Sequence, residues 1–101
     1  MNYKVNFYKG KKGNSIKAGD RLIVDVPTAT VLTGTLSRKS IFPGFKKVVQ
    51  IAQGKNQITF LLKKKSKGRT VNFSPGKYEL NVRAYDNKNR GAGWRDVFDI
   101  D

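Results

Sequence analysis

The chain contains neither cysteine nor histidine. Without cysteine there is no disulfide framework, no thiolate nucleophile and no cysteine-based zinc site. Without histidine, Ser-His-Asp and Cys-His catalysis are excluded, together with the usual general base near neutral pH. Acids are scarce as well: only Asp20, Asp25, Glu79, Asp86, Asp96, Asp99 and Asp101 oppose 21 lysines and arginines, leaving a net charge of +14. No apolar run approaches the ~20 residues of a membrane-crossing helix, so no membrane partner is expected. The opening Met1-Asn2-Tyr3-Lys4-Val5-Asn6-Phe7 alternates like a strand. It lacks the apolar stretch of a secretory signal, so a cytoplasmic location is expected unless the chain belongs to a virus particle. Helical periodicity is absent throughout, and no Gly-rich phosphate loop is present.

The few acids offer little chemistry. A glycosidase-like carboxylate pair is permitted by number alone, but most of the acids lie next to strand ends or turns. Asp96, Asp99 and Asp101 read as solvent-facing acids of a terminal strand more readily than as metal ligands. Asp86-Asn87-Lys88-Asn89-Arg90-Gly91 has the outline of a calcium loop, but Lys88 and Arg90 occupy positions where oxygen ligands belong. No metal, cofactor or catalytic residue is expected, and the chain reads as a non-enzyme.

What is abundant is positive charge, and its placement is sharper than its total. Between Asp25 and Glu79 there is no acid, while Arg38, Lys39, Lys46, Lys47, Lys55, Lys63, Lys64, Lys65, Lys67, Arg69 and Lys77 all fall there. The densest patch comprises Lys63, Lys64, Lys65, Lys67 and Arg69, placed at a loop tip or strand end. A second comprises Lys9, Lys11, Lys12 and Lys17 in the first long turn. A positive face attracts acidic proteins, phosphates or anionic glycans. Lysines outnumber arginines fifteen to six, which suits unspecific phosphate contact better than bidentate base reading. The alternative is a lysine-rich surface that keeps a β-protein soluble and its edge strands apart.

Strand patterns fill the chain. Leu22, Val24 and Val26 point one way until Pro27 stops the strand. Leu32 and Leu36 oppose Val31, Thr33 and Thr35, and further strands are predicted at 47–51, 57–63 and 71–73. Residues 77–85 place Tyr78, Leu80, Val82 and Ala84 on one face and Glu79, Asn81 and Arg83 on the other. A loop over 86–93 leads to a last strand at 94–100. Ser74-Pro75-Gly76 is a tight-turn signal, since Pro75 presets φ and Gly76 tolerates positive φ. Tyr78, just behind it, stands where a tyrosine corner puts its ring, with its hydroxyl on nearby backbone. The prediction is all-β: a single domain over residues 1–101, an immunoglobulin-like (fibronectin III-like) antiparallel β-sandwich of seven to eight strands. Strands at both ends read as a complete small protein. Phe42, Phe45, Tyr85 and Trp94 fall in or beside loops; Phe42, Phe45 and Trp94 are candidate loop contacts, although the preferred reading has Trp94 plugging one end of the sandwich and Phe42 and Phe45 covering its rim.

Three stretches carry a resemblance: Ala18-Gly19-Asp20-Arg21-Leu22-Ile23-Val24, Asn56-Gln57-Ile58-Thr59-Phe60-Leu61-Leu62, and Phe73-Ser74-Pro75-Gly76-Lys77-Tyr78 running on to Val97-Phe98-Asp99-Ile100. Together they resemble the small immunoglobulin-like domains of tailed-bacteriophage virion proteins. The resemblance implies a structural or interaction protein of the tail, neck, baseplate or head surface. Such a protein docks to neighbours in a larger assembly through loops and a basic face, as part of an oligomer. The rival expectations are a sequence-independent nucleic-acid binder using the lysine clusters and a carbohydrate-binding module using Trp94 and Tyr85.

Overall fold

Alternating apolar residues at 22, 24, 32, 36, 58, 60, 80, 82 and 84 can be buried together only if the strands carrying them stack as two sheets. The computed structural model describes residues 4–8, 15–16, 21–42 and 44–100, with side chains from residue 21 onward except those of 43 and 64. It contains β1 (Lys4–Tyr8), β2 (Ser15–Ile16), β3 (Arg21–Asp25), β4 (Val31–Lys39), β5 (Lys46–Gly54), β6 (Gln57–Leu61), β7 (Lys63–Ser66), β8 (Arg69–Asn72), β9 (Gly76–Tyr85) and β10 (Gly91–Ile100). A three-stranded sheet of order β1-β3-β6 and a five-stranded sheet of order β2-β10-β9-β4-β5 form the sandwich, and β7-β8 pair as a separate ribbon. The all-β antiparallel sandwich read from the sequence is therefore the fold.

Among the described residues ten strands stand where seven to eight were expected. Ser15–Ile16 pairs in parallel with Asp99 and Ile100, inside what reads as a turn. Lys63–Ser66 forms its own strand instead of extending the one before it. Each new strand is short and carries no alternating pattern, so periodicity alone cannot reveal it. Within β1, Val5 and Phe7 occupy register positions opposite Val24 and Leu22; Tyr3 lies outside the described residues.

Leu22, Val24, Ile58 and Phe60 from one sheet meet Leu32, Leu36, Tyr78, Leu80, Val82 and Ala84 from the other, all buried. Each of the larger apolar side chains contributes roughly 1.5–3 kcal/mol relative to exposure, and the Ala84 methyl about 1 kcal/mol or less. The sheets approach closest at Gly34, where an added Cβ would fall 2.5 Å from Ile58 Cδ1 and 2.8 Å from Phe60 Cζ. At one end Tyr78 donates its hydroxyl to Ser74 O at 2.7 Å, the expected tyrosine corner. Its ring stacks between Phe73 and Phe98, with centroids 5.8 Å and 6.4 Å away. The corner fixes the end of the sandwich on which the site described next is built.

Candidate functional site

Residues 40–45 turn β4 into β5, and local hydrogen bonds hold the turn. Ser40 N donates to Phe45 O (2.9 Å) and Phe45 N to Phe42 O (3.2 Å), while Phe42 N donates to Ser40 Oγ (3.2 Å). Gly44 takes φ 87°, a left-handed conformation that glycine adopts without steric cost. On either side stands a basic pair. The register sets Arg38 against Lys47 and Lys39 against Lys46, so four cations crowd the last two rungs of one ladder. Like charges directly opposite each other destabilise a sheet.

All four residues line a groove of about 590 Å³ together with apolar Ile41, Phe45, Val49, Phe73 and Tyr78; by alternation Arg38 and Lys47 take the sheet face of Tyr78, and Lys39 and Lys46 that of Glu79. The volume lies within the range of small-ligand and peptide side-chain sites. No acid lines it. Arg38 is engaged structurally: its Nη2 donates to Pro75 O at 3.1 Å, and its guanidinium lies against Gly76. Lys46 pairs with Glu79 at 3.0 Å. Lys39 and Lys47 form no ion pair among the described residues, which leaves their charge available at the rim of the groove.

Glu79 lies on the outer sheet face, where alternation puts it in solvent, yet it is buried. Its own partners cover it. Arg95 Nη2 donates to Oε2 at 3.1 Å, and Asn81 Nδ2 and Lys46 Nζ donate to Oε1 at 2.8 Å and 3.0 Å. The carboxyl is lowered from 4.5 to about 2, first by the hydrogen bond from Arg95, then by those from Asn81 and Lys46. Because the cover is one layer of side chains, desolvation opposes the shift without overcoming it. Beneath the groove, burial raises the Tyr78 hydroxyl above its usual range, and the nearby Arg38 charge partly offsets this.

The basic residues singled out in the sequence lie elsewhere. Lys63, Lys65, Lys67 and Arg69 are exposed on the β7–β8 ribbon, and Lys64 occupies the register position opposite Val71. The ribbon turns through Lys67 (φ 51°) and Gly68 (φ 77°), the two successive positive φ values of a tight hairpin turn. It is a hairpin and not merely a loop tip. Leu62 and Phe73 anchor its base in the core, joined by Phe73 N donating to Leu62 O at 2.9 Å. Lys9, Lys11, Lys12 and Lys17 lie outside the described residues.

Of the candidate loop contacts, Phe45 lines the groove and is 70% exposed; Phe42, in the same turn, is 65% exposed. The start of the last strand is a correction: β10 begins at Gly91 and not at Trp94, and Trp94 sits opposite Val82 and packs against the core. The loop before it shrinks to residues 86–90, because Asp86 Oδ1 accepts from Lys88 N (2.9 Å) and Arg90 N (3.0 Å) and closes the turn early. Tyr85 lies on the opposite face of the sheet, over Gly91. Tyr85 and Trp94 therefore build no common sugar platform.

The residues that sequence reasoning did not single out are Arg38, Lys39, Lys46 and Lys47. Their signal was present: two basic pairs flank one apolar turn, and any hairpin through that turn must bring the pairs together.

No family model matches the chain, and no curated protein sequence matches it. Among solved structures, the superoxide reductase (neelaredoxin) of Ignicoccus hospitalis is similar, with 12% sequence identity and a TM-score of 0.50 over 98% of this chain and 79% of that one. At this identity the likeness is one of fold. It nonetheless corrects the expectation of a phage virion structural protein, since the similar structure belongs to an enzyme and no phage protein supports that reading.

Proposed function

We propose that this chain is a non-catalytic recognition domain whose end groove receives an acidic segment of a partner protein. The observation that carries the proposal is the double like-charge opposition, Arg38 with Lys47 and Lys39 with Lys46, at the mouth of a groove without acids. Such crowding costs stability and is relieved by an anionic ligand. Carboxylates would meet Lys39 and Lys47, while an apolar side chain rests on Ile41 and Phe45. The interleaved apolar wall favours a peptide over a bare phosphate chain, because it rewards burial of side chains. Reductase chemistry has little support, since the chain has no histidine or cysteine, the nitrogen and sulfur donors that redox metals favour. The sandwich itself reads as immunoglobulin-like. Its strand order, the parallel β2–β10 contact and the tyrosine corner support that assignment.

Calorimetric titration with an acidic peptide containing one phenylalanine tests the proposal. Lys39→Ala together with Lys47→Ala is expected to weaken binding about tenfold or more, whereas Lys65→Ala with Lys67→Ala on the ribbon changes it little. Equal loss from both pairs, or binding of DNA in place of the peptide, would contradict the groove as the site.

A further inference from the structure

We infer that the acidic segment docks as an added β-strand along the outer edge of β5, an inference that rests on the recognition reading above. β5 ends the five-stranded order β2-β10-β9-β4-β5, and its second edge pairs with no strand among the described residues. It is nine residues long, and its first residues line the groove, so a segment leaving the groove meets this edge directly. Val48 and Ile51 stand 51% and 61% exposed along it. An edge of this length, carrying exposed apolar side chains, is a template for strand addition. Gln50 braces it from behind, its Nε2 donating to Leu61 O at 3.2 Å, so the edge is held in place before anything binds.

Charge decides the occupant. A second copy pairing edge to edge would bring Lys46, Lys47 and Lys55 against their counterparts on another chain of net charge +14. The register shift between Leu36 and Ser37 further breaks the straight run available for self-pairing. Lysine and a bulge are devices that deter another basic edge. An acidic strand reverses the sign of that interaction: its carboxylates relieve the opposed pairs at Arg38–Lys47 and Lys39–Lys46. Side chains of an added strand alternate, so one set follows Val48 and Ile51 while backbone groups complete the ladder.

The experiment uses the full chain and an octapeptide alternating Glu with Val, prepared unmodified and in two N-methylated forms, at odd or at even positions. N-methylation removes the donors of one edge only, because successive backbone groups of a strand point to opposite sides. The inference expects one methylated form to bind about tenfold or more weaker than the other. It also expects amide hydrogens within residues 46–54 to exchange more slowly on binding the unmodified peptide. Two methylated forms that bind alike overturn strand addition. If the unmodified peptide still binds in a manner sensitive to Lys39→Ala, the recognition reading survives that result. No binding of any form at low salt overturns both. Slowed exchange in 46–54 that rises with protein concentration alone identifies a second copy as the occupant and overturns the acidic strand.

Discussion

Lys39 stands directly opposite Lys46 on the last rung of the β4–β5 ladder, and of the two only Lys46 pairs with Glu79. The unneutralised member of the pair works against the fold and in favour of an anionic ligand. Lys39→Thr is expected to raise stability by about 0.3–0.5 kcal/mol, the scale of one cross-strand pair, while weakening peptide binding. Denaturant melts of the two proteins check this; a loss of stability would show that the lysine stem packs more than its charge repels.

Glu79 ties three strands together through Lys46, Asn81 and Arg95. Its carboxyl is held at about 2 against an ordinary 4.5. A lowered folded-state pKa means that the stabilisation is complete above pH 4.5 and is lost as pH falls toward 2. By linkage the full effect is about 3 kcal/mol at most. Glu79→Gln should flatten the acid limb of the stability profile between those values and lower stability at neutral pH by about 1–3 kcal/mol. Thermal melts from pH 7 down to pH 2 measure both. An unchanged acid limb would place the acid sensitivity in another group.

The fold was legible where burial enforces a period of two. Leu22, Val24, Leu32, Leu36, Leu80, Val82 and Ala84 announce their strands, and Tyr78 announces its corner, because each has a single apolar environment to occupy. Glu79 was not legible: alternation sends it outward, and only the long side chains converging from β5 and β10 bury it. The start of β10 was predicted too late because Gly91 and Gly93 look like loop residues, although they continue the pairing with Tyr85 and Arg83. The groove was half legible. Phe45 stood out as an exposed aromatic, but the four cations around it gained meaning only from the register of the hairpin.

The tyrosine corner gives a separate stability prediction. Tyr78→Phe removes the hydrogen bond to Ser74 O and leaves that carbonyl without its partner, which should cost about 1–2 kcal/mol. Because burial raises the Tyr78 hydroxyl, its favourable contribution persists below pH 10 and is lost as pH rises further. Equilibrium unfolding of the variant and of the wild type at pH 7 and above pH 10 tests both statements. A variant as stable as the wild type would mean that water replaces the corner bond without loss.

Gly34 sets the spacing of the two sheets. Gly34→Ala drives a methyl into Ile58 and Phe60, and overpacking of this kind costs about 1–3 kcal/mol. Gly34→Ala combined with Ile58→Val should recover part of the loss by freeing the space that Ile58 Cδ1 occupies. Additive destabilisation of the two changes would argue against direct contact at this point.

The most direct test of the recognition account is an amide-resolved NMR titration of the full chain with the acidic, phenylalanine-containing peptide at low and at high salt. The account predicts that the largest shifts fall on Arg38, Lys39 and residues 44–49, and that affinity declines as salt rises. Shifts confined to residues 63–72 on the ribbon, or none at low salt, would contradict it.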